Sequence, residues 1–272
     1  MIDLIEIALS GERYNFHTHT QFCDGHASME KMCDAALENG FACLGFSPHS
    51  PIVCQSPCNM SRESVPEYFS ELERLRESYP EICIAAGMEI DYLCPEYGPH
   101  VDYFQKLPLD YRIGSVHFVP DRDGVPVDCD GHAGRFRQYL RDMFGDDLRY
   151  VVETFFEQTL RMIERGGFDV LGHFDKIAAN ASVVDPDIET YGWYRSLVTD
   201  VISYAKSSDI IVEVNTKAFV DKKRLFPSER VLPEIVRSGC SLLVSSDAHY
   251  PEKIYSGIPE TLQIINNLKT KE

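Results

Sequence analysis

The stretch YNFHTHTQFCDGH, residues 14–26, places three histidines and an aspartate directly behind an apolar N-terminal segment. His17 and His19 are separated by one residue, and in a β-strand such residues point to the same side. Both imidazoles could therefore reach one metal ion. Imidazole combined with carboxylate is a ligand set that suits Zn, Mn or Fe(II). The stretch is one wall of a metal site only if other parts of the chain supply further ligands.

Metal-ligand residue types recur near the ends of six of the seven short apolar runs in the chain. In parallel α/β folds the carboxyl ends of the strands meet at one edge, where binding sites form. A single histidine at a strand end is more often a hydrogen-bonded structural residue, but an ordered set of this size favours a metal site. The residues concerned are His17, His19, His49, Glu89, His117, His173, Asp247 and His249.

Asp24, in the sequence CDGH, adds a further candidate ligand, although Asp-Gly is first of all a turn signal. The resulting nine ligands exceed what one ion can use. A carboxylate can bridge two ions, and Glu89 or Asp247 could do so, which predicts a site of two or three metals. The polar loops that contain His100 and His132 predict surface positions for these two histidines.

The elements that must position these residues are the apolar runs, which have the length of buried strands. They comprise residues 14–19 and the segments that begin at Phe41, Ile82, Tyr111, Phe168, Ile210 and Cys240. Amphipathic segments between them, such as SMEKMCDAALENG from Ser28, have the periodicity and terminal residues of helices. This alternation predicts βαβ units and a parallel sheet, either a barrel or an open sheet that nearly closes. The polar, glycine-rich segment Pro120–Asp147 interrupts it and is typical of a functional or disordered loop.

The composition is that of an ordinary globular protein, with 44% hydrophobic and 25% charged residues in 272 positions, and we expect a single domain over 1–272. The net charge of −17 would repel a nucleic-acid polymer. It still allows a small anionic substrate, because bound cations can invert the local field. The chain shows neither a signal-peptide pattern nor a membrane-span length of apolar residues, which predicts a cytoplasmic protein with reduced cysteines. An oligomer is compatible with the sequence.

Taken in order, the motifs HTHTQFCDG, SPHSP, GMEID, GSVHF, LGHFDKI, EVNT and SSDAH resemble those of the PHP (polymerase and histidinol phosphatase) family. They are most similar to its monofunctional histidinol-phosphatase branch, over almost the whole chain. The resemblance implies an α/β fold, a distorted (β/α)7 barrel with parallel strands, and a trinuclear metal site. It implies hydrolysis of a small phosphate monoester, with L-histidinol phosphate as the favoured substrate, in histidine biosynthesis.

The resemblance also implies how the ligands are shared. The first ion would take His17, His19, Glu89 and Asp247, and the second would share Glu89 and add His117 and His173. The third would take His49, His249 and one residue of CDGH, for which Asp24 fits better than His26. The motif SPHS lacks the acidic residue that many relatives have before this histidine, a departure that affects a supporting contact and not the ligand.

Divalent Zn, Mn or Fe ions at such a site would lower the pKa of a bridging water and so provide a hydroxide nucleophile. The predicted catalytic residues are Asp247, Glu89 and His249. Either Asp247 or a metal-held water would protonate the leaving alkoxide.

Substrate contacts are predicted from polar residues at the same edge. Lys176 and Lys217 could bind the phosphate or be ordinary surface lysines, and for Arg224 the surface role is favoured. Glu213 could recognise a substrate amine, and Asp175 could orient a ligand histidine. A lid over an anionic substrate and a solvated helix face are equally compatible with Arg135, Arg137 and Arg141.

Three other functions remain open. A PHP phosphoesterase could act on another small phosphate ester, such as a nucleotide. A metal-dependent amidohydrolase also begins with an HxH motif and ends with an aspartate, but it commonly uses a carbamylated lysine where this chain has Glu89. A non-enzymatic metal-binding module is disfavoured, because none of the core ligand residues is missing.

Overall fold

The computed structural model describes residues 2–54 and 56–270. Its strands are β1 (Arg13–Asn15), β2 (Phe41–Phe46), β3 (Cys83–Ala86), β4 (Glu89–Asp91), β5 (Ile113–Ser115), β6 (Phe118–Pro120), β7 (Pro126–Asp128), β8 (Val170–Leu171), β9 (Ile211–Asn215) and β10 (Leu242–Ser245). Its α-helices are α1 (Leu4–Leu9), α2 (Met29–Glu38), α3 (Val65–Ser78), α4 (Asp102–Gln105), α5 (Ala133–Asp142), α6 (Leu148–Arg165), α7 (Ile177–Val184), α8 (Gly192–Ser207), α9 (Phe219–Lys222), α10 (Leu232–Ser238) and α11 (Ile258–Lys269).

The parallel strands form two sheets that together encircle a core. One sheet has the order β1-β2-β3, and the other has the order β10-β9-β8-β5-β4. Gly87 and Met88 separate β3 from β4, so the chain passes directly from the first sheet into the second. A parallel bridge between Thr18 and Ala248 connects the segments that follow β1 and β10. Counting β3 and β4 as one position, the ring has seven positions, and the predicted distorted α/β barrel is confirmed.

Large apolar side chains fill the barrel interior. Phe16, Tyr111 and Val170 belong to one buried cluster, which α1 covers through Leu4. The Tyr111 hydroxyl donates a hydrogen bond to the carbonyl of Phe16 at 2.5 Å. A side chain at Gly87 would place its Cβ 2.2 Å from the Tyr111 ring, so this position accommodates only glycine. The interior is therefore packed, and a site can form only where the strands end.

Local sequence signals explain where the helices begin and end. The Ser28 side chain accepts a hydrogen bond from the Lys31 amide at the start of α2, as an N-cap residue does. The Asp147 carboxylate does the same for the Tyr150 amide at the start of α6. That helix ends at Gly166, whose φ of 66° is readily adopted only without a side chain. Within the described residues, none of the helices combines the length and apolarity that a membrane crossing requires.

The segment between residues 120 and 147 has more regular structure than its polar composition indicates. Strands β6 and β7 pair as an antiparallel hairpin, and α5 follows it. Phe136 and Leu140 of α5 are buried in the largest apolar cluster. These two side chains anchor the segment, which lies beside the carboxyl end of β5.

Candidate metal centre

The candidate ligands lie along the carboxyl-terminal rim of the barrel. His17 and His19 follow β1, His49 follows β2, and Glu89 is the first residue of β4. Around the same rim, His117 follows β5, His173 follows β8, and Asp247 and His249 follow β10. Because all these strands are parallel, residues distant in the sequence meet at one edge. The structure thus brings together the nine residues expected at the site, Asp24 included.

Glu89 lies at the centre of this rim, and its carboxylate is almost fully buried, with 1% of the residue exposed. Five imidazoles surround it within 3.5 Å. The distances run from 2.9 Å for His173 Nε2 and 3.0 Å for His49 Nδ1 to 3.5 Å for His117 Nε2. The Ser115 hydroxyl donates a hydrogen bond to Oε1 at 2.7 Å and fixes the carboxylate. A carboxylate placed in this way can bridge cations held by different imidazoles.

Two further carboxylates flank the centre. Asp247 Oδ1 lies 3.2 Å from His19 Nε2 and 3.4 Å from His249 Nδ1. Asp24 Oδ1 lies 3.3 Å from His249 Nε2 and within 4 Å of both His19 and His49. His26 instead stacks on Tyr250, with 4.4 Å between the ring centroids. The geometry therefore favours Asp24 over His26 as the contribution of CDGH.

Glu213 lies behind the ligands and does not line the rim surface. Its Oε1 accepts a hydrogen bond from His17 Nδ1 at 2.6 Å, and its Oε2 accepts one from the His173 amide at 2.8 Å. The Ser245 hydroxyl also donates to Oε1. Since Glu213 is fully buried and both oxygens are occupied, the expectation that it recognises a substrate amine is wrong. Its contact with His17 is the one that orients a metal-binding imidazole.

Asp91, which was not predicted from the sequence, performs the same task for another imidazole. Its Oδ1 accepts a hydrogen bond from His117 Nδ1 at 2.6 Å, and its Oδ2 accepts one from Asn59 Nδ2 at 3.1 Å. The signal for it was the sequence GMEID, in which Asp91 lies two residues after Glu89 and so on the same side of the strand.

Buried charges hold the carboxylates of the rim in their ionised form. Burial disfavours the charged form of Glu89, but His17 and His49 outweigh it and hold its pKa well below the usual value. Burial also disfavours the charged form of Asp247. Lys217 and His17 outweigh this effect and hold the pKa of Asp247 well below its usual value. Both carboxylates are thus available as anionic ligands.

The imidazoles of the rim differ in the direction of their pKa shifts. Burial, together with the neighbouring His249, holds the pKa of His19 well below its usual value, so this ring is neutral and able to bind a cation. Burial also opposes charge on His117, but Asp91 outweighs it and raises the pKa of His117 to about 9. A cation bound at His117 would therefore displace a proton.

Buried polar atoms without hydrogen-bond partners test whether the rim suits metal ions. Among the described residues, these atoms include several ring nitrogens and carboxylate oxygens that face the rim. An unpartnered buried polar atom is costly unless a ligand satisfies it. Imidazole and carboxylate in this combination suit divalent Zn, Mn or Fe. The atoms are His17 Nε2, His19 Nε2, Asp24 Oδ1, His49 Nδ1, Glu89 Oε2, His117 Nε2 and His173 Nδ1.

Two of the three predicted phosphate-binding cations reach the rim. Lys217 Nζ lies 3.0 Å from Asp247 Oδ1, and Lys176 Nζ lies 3.7 Å from Asp247 Oδ2. Lys176 also forms a 2.9 Å ion pair with Asp130, which was not predicted from the sequence because it lies in the polar segment after β7. Arg224 instead pairs with Glu189 at 2.7 Å. Two lysines therefore lie beside the candidate ligands, and Arg224 lines a cavity together with both of them.

Other expected contacts are not formed. Asp175 accepts a hydrogen bond from the Ser228 amide and does not orient a ligand histidine; burial raises its pKa to about 7. Arg137 donates to the carbonyl of Val183, so α5 holds it against α7 and not over the rim. Arg135 and Arg141 are exposed on α5.

Comparisons with known proteins agree with this arrangement. The family model described as PHP domain matches residues 15–217. A protein from Schizosaccharomyces pombe named "Probable histidinol-phosphatase" is 29% identical over 255 residues, which cover 88% of this chain and 81% of the relative. The solved structure of hisK from Listeria monocytogenes has a TM-score of 0.78 at 18% identity and covers 91% of this chain and 99% of its own. A histidinol phosphate phosphatase from Lactococcus lactis, solved with zinc, L-histidinol and phosphate, has a TM-score of 0.70 at 18% identity, with 94% of each chain covered.

Proposed function

The chain belongs to the PHP domain family, and we propose that it is a metal-dependent phosphatase that hydrolyses a small phosphate monoester. The substrate that we propose is L-histidinol phosphate, and the products are L-histidinol and phosphate. We further propose that the chain forms one domain around the rim, because the bridge between Thr18 and Ala248 connects its first and last strands.

One observation carries this proposal. Nine imidazole and carboxylate side chains from six strand ends converge on one rim, and several of their buried atoms have no partner among the described residues. Two or three divalent cations, Zn, Mn or Fe, would satisfy these atoms, with Glu89 shared between them. When bound, such cations supply an activated water and offset charge on a phosphoryl group.

The protein's own residues supply orientation and charge. Glu213 and Asp91 hold His17 and His117 through their Nδ1 atoms, so that each Nε2 faces the rim. Lys217 adds positive charge beside Asp247, where the oxygens of a phosphate would lie. We assign Asp247, Glu89 and His249 to the catalytic set, in which either Asp247 or a metal-held water would protonate the leaving alkoxide.

The names of the similar proteins support the choice of substrate. The relative from S. pombe and the phosphatase from L. lactis are both named for histidinol phosphate chemistry, and the latter was solved with zinc, L-histidinol and phosphate. A metal-dependent amidohydrolase is a poorer fit, because the carboxylate of Glu89 occupies the central position where that class commonly uses a modified lysine.

Phosphate release from a substrate panel tests the proposal. The purified protein, supplied with Mn or Zn, is given L-histidinol phosphate, nucleoside monophosphates, oligonucleotides and a set of amides. We expect the highest kcat/KM for L-histidinol phosphate and loss of activity after chelation. A higher kcat/KM for a nucleotide would show that a nucleotide, and not L-histidinol phosphate, is the substrate. Hydrolysis of amides alone would contradict the proposed phosphatase activity.

A further inference from the structure

A cavity of about 170 Å³ opens beside the candidate metal ligands. His49 and His117 form part of its wall, and Cys58, Asn59 and Phe118 form another part. His117 is 5% exposed, and its Nε2 has no hydrogen-bond partner among the described residues. An apolar cavity of about 150 Å³ accepts a benzene ring, so the present one is large enough for the organic part of a small phosphate ester.

Four carboxylates line this cavity, and three of them already face charged or polar side chains of the protein. Asp24 faces the imidazoles of the rim, and Asp91 holds His117 and Asn59. Asp130 forms its ion pair with Lys176. These three carboxylates serve residues of the protein itself.

Asp128, the last residue of β7, is the fourth. Its Oδ1 accepts hydrogen bonds from the backbone amides of Asp130 at 3.0 Å and Gly131 at 3.2 Å. Its Oδ2 has neither a hydrogen bond nor a cation within 4.0 Å in the part of the chain that the structure describes, residues 2–54 and 56–270. The backbone amides fix the carboxylate, and its second oxygen is left for a donor from outside the protein.

The same cavity is also lined by Lys217, which follows β9. In the sheet order only β8 lies between β9 and β5, and the hairpin that carries Asp128 follows β5. A cation and a free carboxylate therefore share one small cavity beside the metal ligands. A molecule with a phosphate and an ammonium group a few bonds apart has the matching charges.

We propose that Asp128 is a specificity-determining residue that accepts a hydrogen bond from the ammonium group of an aminoalkyl phosphate substrate. This inference rests on the proposed function and extends it, because it assigns the recognition of the amine to one residue. Asp128 takes the role that the sequence allowed for Glu213, which is buried. Charge-assisted hydrogen bonds of this kind are among the stronger polar contacts in proteins.

The experiment compares two substrates that differ only in the amine. L-histidinol phosphate and 3-(imidazol-4-yl)propyl phosphate are given to the metal-loaded wild-type protein and to Asp128→Asn. The amide oxygen of asparagine keeps the acceptor for the backbone amides of Asp130 and Gly131. We expect kcat/KM for L-histidinol phosphate to fall roughly 10- to 100-fold, mainly through KM. For the amine-free ester we expect a change of less than about twofold, since no ammonium is lost.

Asp123→Asn is the matched control, because Asp123 is an exposed carboxylate in the turn of the same hairpin and does not line the cavity. It should leave kcat/KM for both substrates unchanged. Equal losses on both substrates in Asp128→Asn, or no loss on either, would overturn the role of Asp128 while leaving the proposed function intact. A wild-type protein that hydrolyses neither ester would refute the proposed function, and the role of Asp128 with it.

Discussion

Glu89 is the carboxylate on which the imidazoles of the rim converge. Its carboxylate is the common neighbour of five imidazoles, and it is buried where an unpaired charge would be costly. Neighbouring imidazoles hold its pKa well below the usual value, so it stays anionic. Cations bound at the rim would keep Glu89 anionic in place of these imidazoles.

Glu89→Gln should reduce both metal content and activity. The amide keeps the shape of the side chain but removes the negative charge that two cations would share, so we expect kcat/KM to fall more than about a hundredfold, the upper end for residues that only support metal ligands. Metal analysis and phosphate release measure the two effects. Glu81→Gln is the control, because Glu81 is exposed before β3, at the opposite end of the barrel. Full metal content in Glu89→Gln would show that Glu89 is not a ligand.

Glu213→Ala should weaken metal binding without touching substrate. The substitution removes the acceptor for His17 Nδ1 and for the backbone amide of His173, so the His17 imidazole loses its orientation and the backbone that carries His173 loses a hydrogen bond. We expect metal affinity to fall roughly 10- to 100-fold. Titration of the chelated protein with Zn or Mn, read by metal-dependent thermal stabilisation, gives the affinity. If saturating metal fails to restore at least part of the activity, Glu213 has a direct catalytic role that its burial does not explain.

At the scale of the elements, short strands place the ligands by close packing. Strand β8 has two residues, and Gly172 follows it directly before His173. A Cβ at Gly172 would lie 2.3 Å from Ser115 Oγ, the atom that donates to Glu89. The contact between β5 and β8 therefore sets the distance between His173 and Glu89.

Gly172→Ala should separate β8 from β5. We expect the free energy of unfolding to fall by roughly 1–3 kcal/mol, as overpacking in a buried position does, and metal affinity to fall with it. Urea denaturation gives the first value. Gly192→Ala, at the first position of α8 with no neighbouring atom within 4 Å, is the control and should be nearly neutral. The double variant Gly172→Ala, Ser115→Ala should recover stability but not metal affinity; no recovery would place the strain elsewhere.

The elements also show what the sequence could and could not predict. Apolar runs of strand length and capped amphipathic segments predicted the βαβ units, because burial and helix ends leave local signals. The hairpin of β6 and β7 was missed, since three-residue strands in a polar segment have too few apolar positions to show alternation. Asp128 and Asp130 were missed for the same reason. The burial of Glu213 behind the ligands could not be predicted, because its neighbours His17 and Ser245 are distant in sequence.

For the whole molecule, metal binding and folding stability should be linked. The rim collects buried imidazoles and carboxylates that only the folded chain brings together, so cations that bind it stabilise the folded state. Chelation should lower Tm, and Mn or Zn should restore it, with about 2.7 kcal/mol gained at a metal concentration one hundred times Kd. Thermal unfolding followed by circular dichroism measures the shift. An unchanged Tm in the presence of chelator, with metal removal verified by elemental analysis, would contradict the linkage.

The most direct test of a metal centre at the rim is anomalous X-ray scattering from a crystal of the metal-loaded protein soaked with phosphate. We predict two or three anomalous peaks among the nine side chains, with Glu89 in contact with more than one of them and phosphate beside Lys217. The absorption edge identifies each metal. A rim with no anomalous peak, in a crystal where Glu89 keeps only the contacts with its surrounding imidazoles, would contradict the account.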